Sequence, residues 1–313
     1  MKINEEITRK KCFSAAVFSK TIIFILIALL CLCQMAGAQV TLTATAGIPA
    51  GSYPTLKAAF DAINTGDHKG NIIINITAST NEGTTPATLN SSHADPANYN
   101  SVLIQPVANN VVVSGNPAAG FAVIQLNGSD NITINGDNPN IGGQSRDLTV
   151  SNTAAASVVG NSCIRICTST NVSSADNITI QNCILNGNVT NGNVSSPGVS
   201  SATSFGIYAG GNGGATVTSA PTAITVALEP ATSGTTINSF VVDNNAINQC
   251  GRAIVFNGAD ATVSDGVSIS QNLIGTAGAL GVYPYTTPAT TVYTNGIWVS
   301  GPRGSCRSWD STA

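Results

Sequence analysis

The chain has 313 residues, of which 9% are charged and 5% aromatic, while Asn, Thr, Ser, Gly and the β-branched aliphatics dominate. That mixture is poor in strong helix formers and rich in strand and turn residues, so it argues against a helical bundle and for an all-β fold. The formal net charge is −3, and setting aside the five basic and two acidic residues of the first 38 leaves seven basic and thirteen acidic ones, a net −6 that excludes a nucleic-acid-binding surface.

Residues 1–38 read as a secretory signal peptide. Lys2, Arg9, Lys10, Lys11 and Lys20 form a basic leader, Thr21–Cys33 is an apolar run, and Ala36 and Ala38 offer small residues for cleavage before Gln39. An uncleaved membrane anchor is the rival reading, because the apolar stretch is long. Cleavage would leave a protein secreted or held on the outer cell surface, with no membrane contact of its own. Disulfides are permitted in that setting. Cys163, Cys167, Cys183 and Cys250 lie in the body and Cys306 near the end. On one strand Cys163 and Cys167 would stand about 13 Å apart, too far to bridge, and no C-x-x-C spacing occurs. Buried free thiols are the simpler reading.

A helix is expected over about residues 54–65. Within Tyr53–Gly66 the residues Leu56, Ala59, Phe60 and Ile63 share one helical face, Pro54 or Thr55 can start the helix, and Gly66 can end it. Asn71–Ile76, with the sequence NIIINI, is the first predicted strand.

From there two short phrases recur. One reads DNITINGD at 130–137, DNITIQNC at 176–183, NSFVVDNN at 238–245 and DGVSISQN at 265–272, and its last strand residue is Ile134, Ile180, Val242 and Ile269. The second leads with Ile124, Ile164, Ile207, Ile254 and Ile297, at intervals of 40, 43, 47 and 43 residues. Each phrase alternates, so one face of a strand is buried. Self-similarity at this period marks a solenoid, and coils of roughly 20–27 residues made of short strands and bends describe a parallel β-helix. Asn suits the bends because it tolerates left-handed backbone. A β-sandwich is the competing architecture, but it does not require one strand-and-turn phrase at near-constant spacing.

The expected domain therefore spans 39–301, with loop insertions at about 188–204 and 210–236. TAITVAL, inside the second, alternates like a small strand. In solenoids such insertions gather on one side, often the binding side. Residues 302–313 lose the pattern, with two Arg, one Cys and one Trp, and read as a truncated or frame-shifted tail.

Together, YPTLKAAFDAIN, SVLIQP at 101–106, NGSDNITING at 127–136 and the Asn-rich rungs resemble the right-handed parallel β-helix proteins of the pectate-lyase-like superfamily, in particular large secreted ones of Bacteroidetes-type bacteria. The resemblance implies a right-handed parallel β-helix, and among its activities polysaccharide lyases and hydrolases as well as surface proteins without known chemistry. Lyases of this kind need acids around calcium and a basic residue. Between Gln39 and Gly301 the bases are Lys57, Lys69, Arg146, Arg165 and Arg252; Arg165 sits on a strand and Arg252 at a bend, neither has a pair of acids nearby, and both read as exposed residues. Hydrolases need paired acids, but no Asp-Asp dipeptide occurs, and Asp130 and Asp176 read as turn formers. His68 and His93 sit in loop-like contexts. No catalytic residue, metal site or cofactor is expected. The expected function is a non-catalytic secreted or cell-surface scaffold that binds polysaccharide or cell-surface glycan or serves adhesion. The alternative is a fragment of a lyase or hydrolase with active coils beyond the present C-terminus, and a purely structural array comes third.

Overall fold

In the computed structural model the described residues are 37–92, 95–158, 160–168, 174–188, 204–213, 221–225, 229–259, 266–275 and 295–300. Ala36 and the leader, His93, most of the first insertion, Cys306 and the 302–313 tail lie outside them.

Three strands make each coil, and six coils follow one another along the chain. The first is β3 (His68–Ile76), β4 (Thr80–Asn81) and β5 (Ala87–Asn90), and the second is β6 (Tyr99–Pro106), β7 (Val111–Gly115) and β8 (Ala122–Asn127). The third holds β9 (Ile132–Asn135), β10 (Leu148–Asn152) and β11 (Ser162–Thr168), and the fourth β12 (Ile178–Gln181), β13 (Cys183–Asn186) and β14 (Phe205–Asn212). The last two are β15 (Phe240–Asp243), β16 (Ala246–Asn248), β17 (Arg252–Asn257), then β18 (Val267–Ser270), β19 (Leu273–Ile274) and β20 (Asn295–Ser300). The strands cycle through three parallel sheets, so that β3, β6, β9, β12, β15 and β18 share the first, their successors the second, and the third strand of each coil the third. This is the expected right-handed parallel β-helix.

The rungs stack as the sequence phrases require. Ile74, Ile104, Ile134, Ile180, Val242 and Ile269 pair in turn along the first sheet, and Ile124, Ile164, Ile207, Ile254 and Ile297 along the third. Most of these side chains are fully buried in one continuous core, each stabilising the fold by about 1.5–3 kcal/mol relative to exposure. Coil lengths at this column are 30, 30, 46, 62 and 27 residues. The shortest coils are thus 27–30 residues rather than 20–27, and the second sheet adds rungs that the repeat phrases do not mark, Val111–Gly115 and Leu148–Asn152.

Left-handed backbone recurs at two corners. Between the first and second sheets stand Asn182, Asn244 and Gln271, with φ of 56°, 51° and 54°, and before the first sheet stand Asn131, Asn177 and Ser239, with φ of 59°, 58° and 54°. Asn side chains offset the strain of this conformation by local hydrogen bonding. Asn182 donates to Asn135 Oδ1 at 2.8 Å and Asn244 to Asn182 Oδ1 at 2.7 Å, while Arg146 donates to Asn244 Oδ1 at 2.6 Å. The next residue turns inward: buried Asn245 accepts from Cys183 N at 2.9 Å and donates to Ile180 O at 2.9 Å.

The N-terminal end carries more than the expected helix. β1 (Val40–Gly47) precedes the helix and pairs antiparallel with β3, and β2 (Ala50–Tyr53) pairs antiparallel with β1. The first strand is therefore Val40–Gly47, not Asn71–Ile76. Helix α1 (Leu56–Asn64) follows, with Thr55 Oγ1 accepting from Ala58 N at 3.1 Å and with Leu56, Ala59, Phe60 and Ile63 buried on the core. Glu82, after β4, accepts from Leu56 N and Lys57 N at 3.2 and 2.7 Å, placing a carboxylate at the positive end of the helix. Asn64 donates to Thr88 O at 2.8 Å and accepts from Asn90 N at 2.9 Å, which satisfies the otherwise bare edge of β5.

Candidate functional site

Two outer faces hold side chains capable of chemistry or recognition, and they differ in whether anything can reach them. On the third sheet the outward column is Thr88, Gln125, Arg165, Tyr208, Val255 and Trp298. The described part of the second insertion lies across it. Ile224 N donates to Gly120 O at 3.0 Å, and a Cβ at Gly120 or Gly160 would stand 2.5 Å from Ile224 N or 2.8 Å from Ile224 O, so glycine at both positions admits the strap's backbone. Arg165, 0% exposed, donates to Thr222 O at 2.6 Å, Asn212 O at 3.1 Å and Gly120 O at 3.4 Å. Tyr208 Oη accepts from Glu229 N at 2.8 Å and donates to Glu229 O at 3.0 Å. Phe205, Tyr208, Ile224 and Val255 form a second apolar cluster beneath, with Trp298 half-buried against it.

This corrects two expectations. Arg165, on a strand as expected, and Arg252 are buried rather than exposed, and over Arg165 the strap turns the outer face of the third sheet into an interior. Burial draws the Arg252 guanidinium down from its ordinary range, with Tyr208 opposing, and pushes the Tyr208 phenol up. Arg165 is a bracket for three backbone carbonyls and stands as no base toward solvent. The alternating stretch within 222–228 forms no strand over its described residues, which run instead as the extended strap.

The remaining sequence candidates are structural. Asp130 Oδ1 accepts from Asp176 N at 2.7 Å, and Asp176 Oδ1 accepts from Asn238 N at 2.7 Å, so both acids close turns on the next coil. His68 is buried, its Nδ1 2.6 Å from Ile48 O and its Nε2 within hydrogen-bond reach of Tyr53 Oη. Cys163, Cys167, Cys183 and Cys250 are buried free thiols, and burial pushes Cys163 and Cys183 up to about 12. Among the described residues no three His, Cys, Asp or Glu side chains come together to hold a metal ion.

No protein-family model, curated protein or solved structure matches the chain.

The open candidate is the outer face of the first sheet. Its middle column is Ile73, Leu103, Thr133, Thr179, Val241 and Ser268, one residue per coil. All are half-buried or exposed, and all but the last carry a methyl outward from the pleat. Beside it runs an amide and hydroxyl column in which Gln105 donates to Asn75 Oδ1 at 3.0 Å and Ser270 to Asp243 Oδ1 at 2.6 Å. On the other side Ser101 donates to Asn71 Oδ1 at 3.2 Å and Asn177 to Asn131 Oδ1 at 3.0 Å. Asp243 is the one ionisable side chain in these columns. The alternation of each phrase assigns a buried face to its strand and leaves the middle residue, Thr133 in ITI or Val241 in FVV, on the other one. The signal that could have found the site is that very alternation, since each middle residue stands outward at the same register.

Of the sequence-predicted cleavage residues, Ala36 lies outside the described residues, and Ala38 and Gln39 fall at the start of the fold. Ala38 is exposed, with its O accepting from Thr77 Oγ1 at 3.2 Å, and Gln39 is held by backbone bonds, its N donating to Tyr53 O at 3.0 Å and its O accepting from Thr77 N at 2.9 Å. With its amide oriented to donate, Gln39 also reaches Pro54 O at 2.8 Å and Ser79 O at 3.1 Å.

Proposed function

We propose that the protein is an exported, non-catalytic β-helix scaffold of the pectate-lyase-like kind that binds glycan on the outer face of its first sheet, outside the cell or on its surface. The observation that carries this reading is the contrast between the two faces. The third sheet holds the body's two buried arginines, but a strap seals it and spends the Arg165 N–H groups on backbone carbonyls. The first sheet is open and nearly free of charge, and it offers amides and hydroxyls in rows beside methyls. Uncharged hydrogen-bonding surface with apolar patches suits sugars, whose hydroxyls and C–H faces need both. Export is supported by the leader and by the place of Ala38 and Gln39, since cleavage between them would spare every strand and forfeit one described hydrogen bond, that from Thr77 Oγ1 to Ala38 O.

The test is affinity electrophoresis of the purified chain through gels containing neutral polysaccharides, paired with assays for new reducing ends and for unsaturated uronates. Retardation without product formation is expected. Product formation that Arg165→Met abolishes would establish an enzyme instead. Mature protein whose N-terminus is Gln39 is expected by mass spectrometry of the exported form.

A further inference from the structure

The geometry points to one class of ligand for the first sheet: an extended chain of neutral pyranose units lying along the solenoid axis, one unit per coil. This rests on the glycan-binding reading and specifies it. Coils repeat at about 4.8 Å, close to the advance of one sugar in a fully extended, β-linked chain. The middle column presents Ile73, Leu103, Thr133, Thr179 and Val241 at successive steps of that repeat without a gap. It is a track of methyls on which the C–H face of each ring can rest.

The flanking columns lie two residues to either side along each strand, about 6.6 Å away, where the equatorial hydroxyls of such rings would reach. They carry amide and hydroxyl groups, which both donate and accept. Their bonding to one another up the columns holds them in line before any ligand arrives, which lowers the ordering cost of binding. Charge selects against the alternative polymer. The three columns contain no Lys or Arg and one carboxylate, Asp243, and the nearest guanidinium, Arg146, is bonded to Asn244, so a polyuronate would meet a repulsive group and no cation within the track. A bent or α-linked helical chain would leave the track after one or two coils.

The experiment titrates the full chain with cello-, manno- and xylo-oligosaccharides from disaccharide to octasaccharide, with oligogalacturonates alongside. Affinity for at least one neutral series is expected to climb with each added unit and to level off near the pentasaccharide, when the five methyl-bearing coils are covered. Oligogalacturonates are expected to bind at least about tenfold more weakly, a difference of 1.4 kcal/mol. Thr133→Arg is expected to lower affinity about tenfold or more with its far-UV circular dichroism and urea midpoint little changed, whereas Thr133→Val, which keeps the methyl and the strand propensity, retains it. Binding that is independent of length, or unchanged in Thr133→Arg, overturns this inference while leaving glycan binding in place. Binding to no glycan, soluble or in the gel, overturns both.

Discussion

At Asn182 the side chain does two things that no other residue type does together. It accepts a left-handed backbone, with φ of 56°, and its amide both accepts from Asn244 and donates to Asn135. Replacement by Ala should therefore cost the left-handed penalty of about 1–2 kcal/mol and two ladder bonds besides. Gly should recover the backbone part, so equilibrium unfolding in urea is expected to rank wild type above Asn182→Gly above Asn182→Ala. Buried thiols give a second residue-scale prediction. Because burial pushes Cys163 and Cys183 up to about 12 from 9.0, both remain neutral and unreactive at pH 8 while the protein is folded. A thiol reagent should label the four body cysteines only after denaturant is added. Above about pH 9 the unfolded thiols ionise and the folded ones do not, so the unfolded state binds fewer protons and stability falls as pH rises. Urea midpoints measured upward from pH 8 should decline, and replacing Cys163 and Cys183 by Ala should flatten that decline.

The strap and the helix are the elements whose loss has a clear readout. Arg165 holds residues 221–225 against Gly120 from beneath, so Arg165→Met should leave the β-helix folded but expose the strap. Limited proteolysis is expected to cut within the second insertion many-fold faster in that variant, with little change in far-UV circular dichroism. At the other end, Glu82→Ala removes the acceptor for two helix N–H groups and should destabilise the protein by about 1–3 kcal/mol. Helix α1 was legible in the sequence because its apolar residues recur at helical spacing, and Thr55 and Gly66 mark its ends. The antiparallel strands ahead of it were not, since VTLTATAG and AGSY belong to no repeat and owe their pairing to the bare edge of β3. The strap was misread for a related reason. TAITVAL alternates as a strand does, but its neighbours are Arg165 and two glycines rather than a free sheet edge.

For the whole molecule, the isoleucines of the two phrases predicted register correctly, coil upon coil. Axial stacking allows one face inward at every step, so spacing in sequence maps directly onto neighbours in space. What spacing does not reveal is which outer face a loop covers, because that depends on where an insertion folds back. The same stacking makes stability local. Ile180→Ala, in the fourth coil, should cost about 2–5 kcal/mol, and hydrogen exchange should quicken most in the coils touching it, with less effect at the helix-capped end. One feature of the corner between the first and second sheets reaches further. The amides of Asn244, Asn182 and Asn135 are joined head to tail, and Arg146, a donor only, faces the oxygen of the first. Turning over any single amide would set oxygen against oxygen on one side and N–H against N–H on the other. The row therefore has a sense, reversed only as a unit, and the third coil sets it from both ends, through the Arg146 guanidinium at Asn244 and the Asp137 N–H at Asn135 Oδ1, for the two coils that follow.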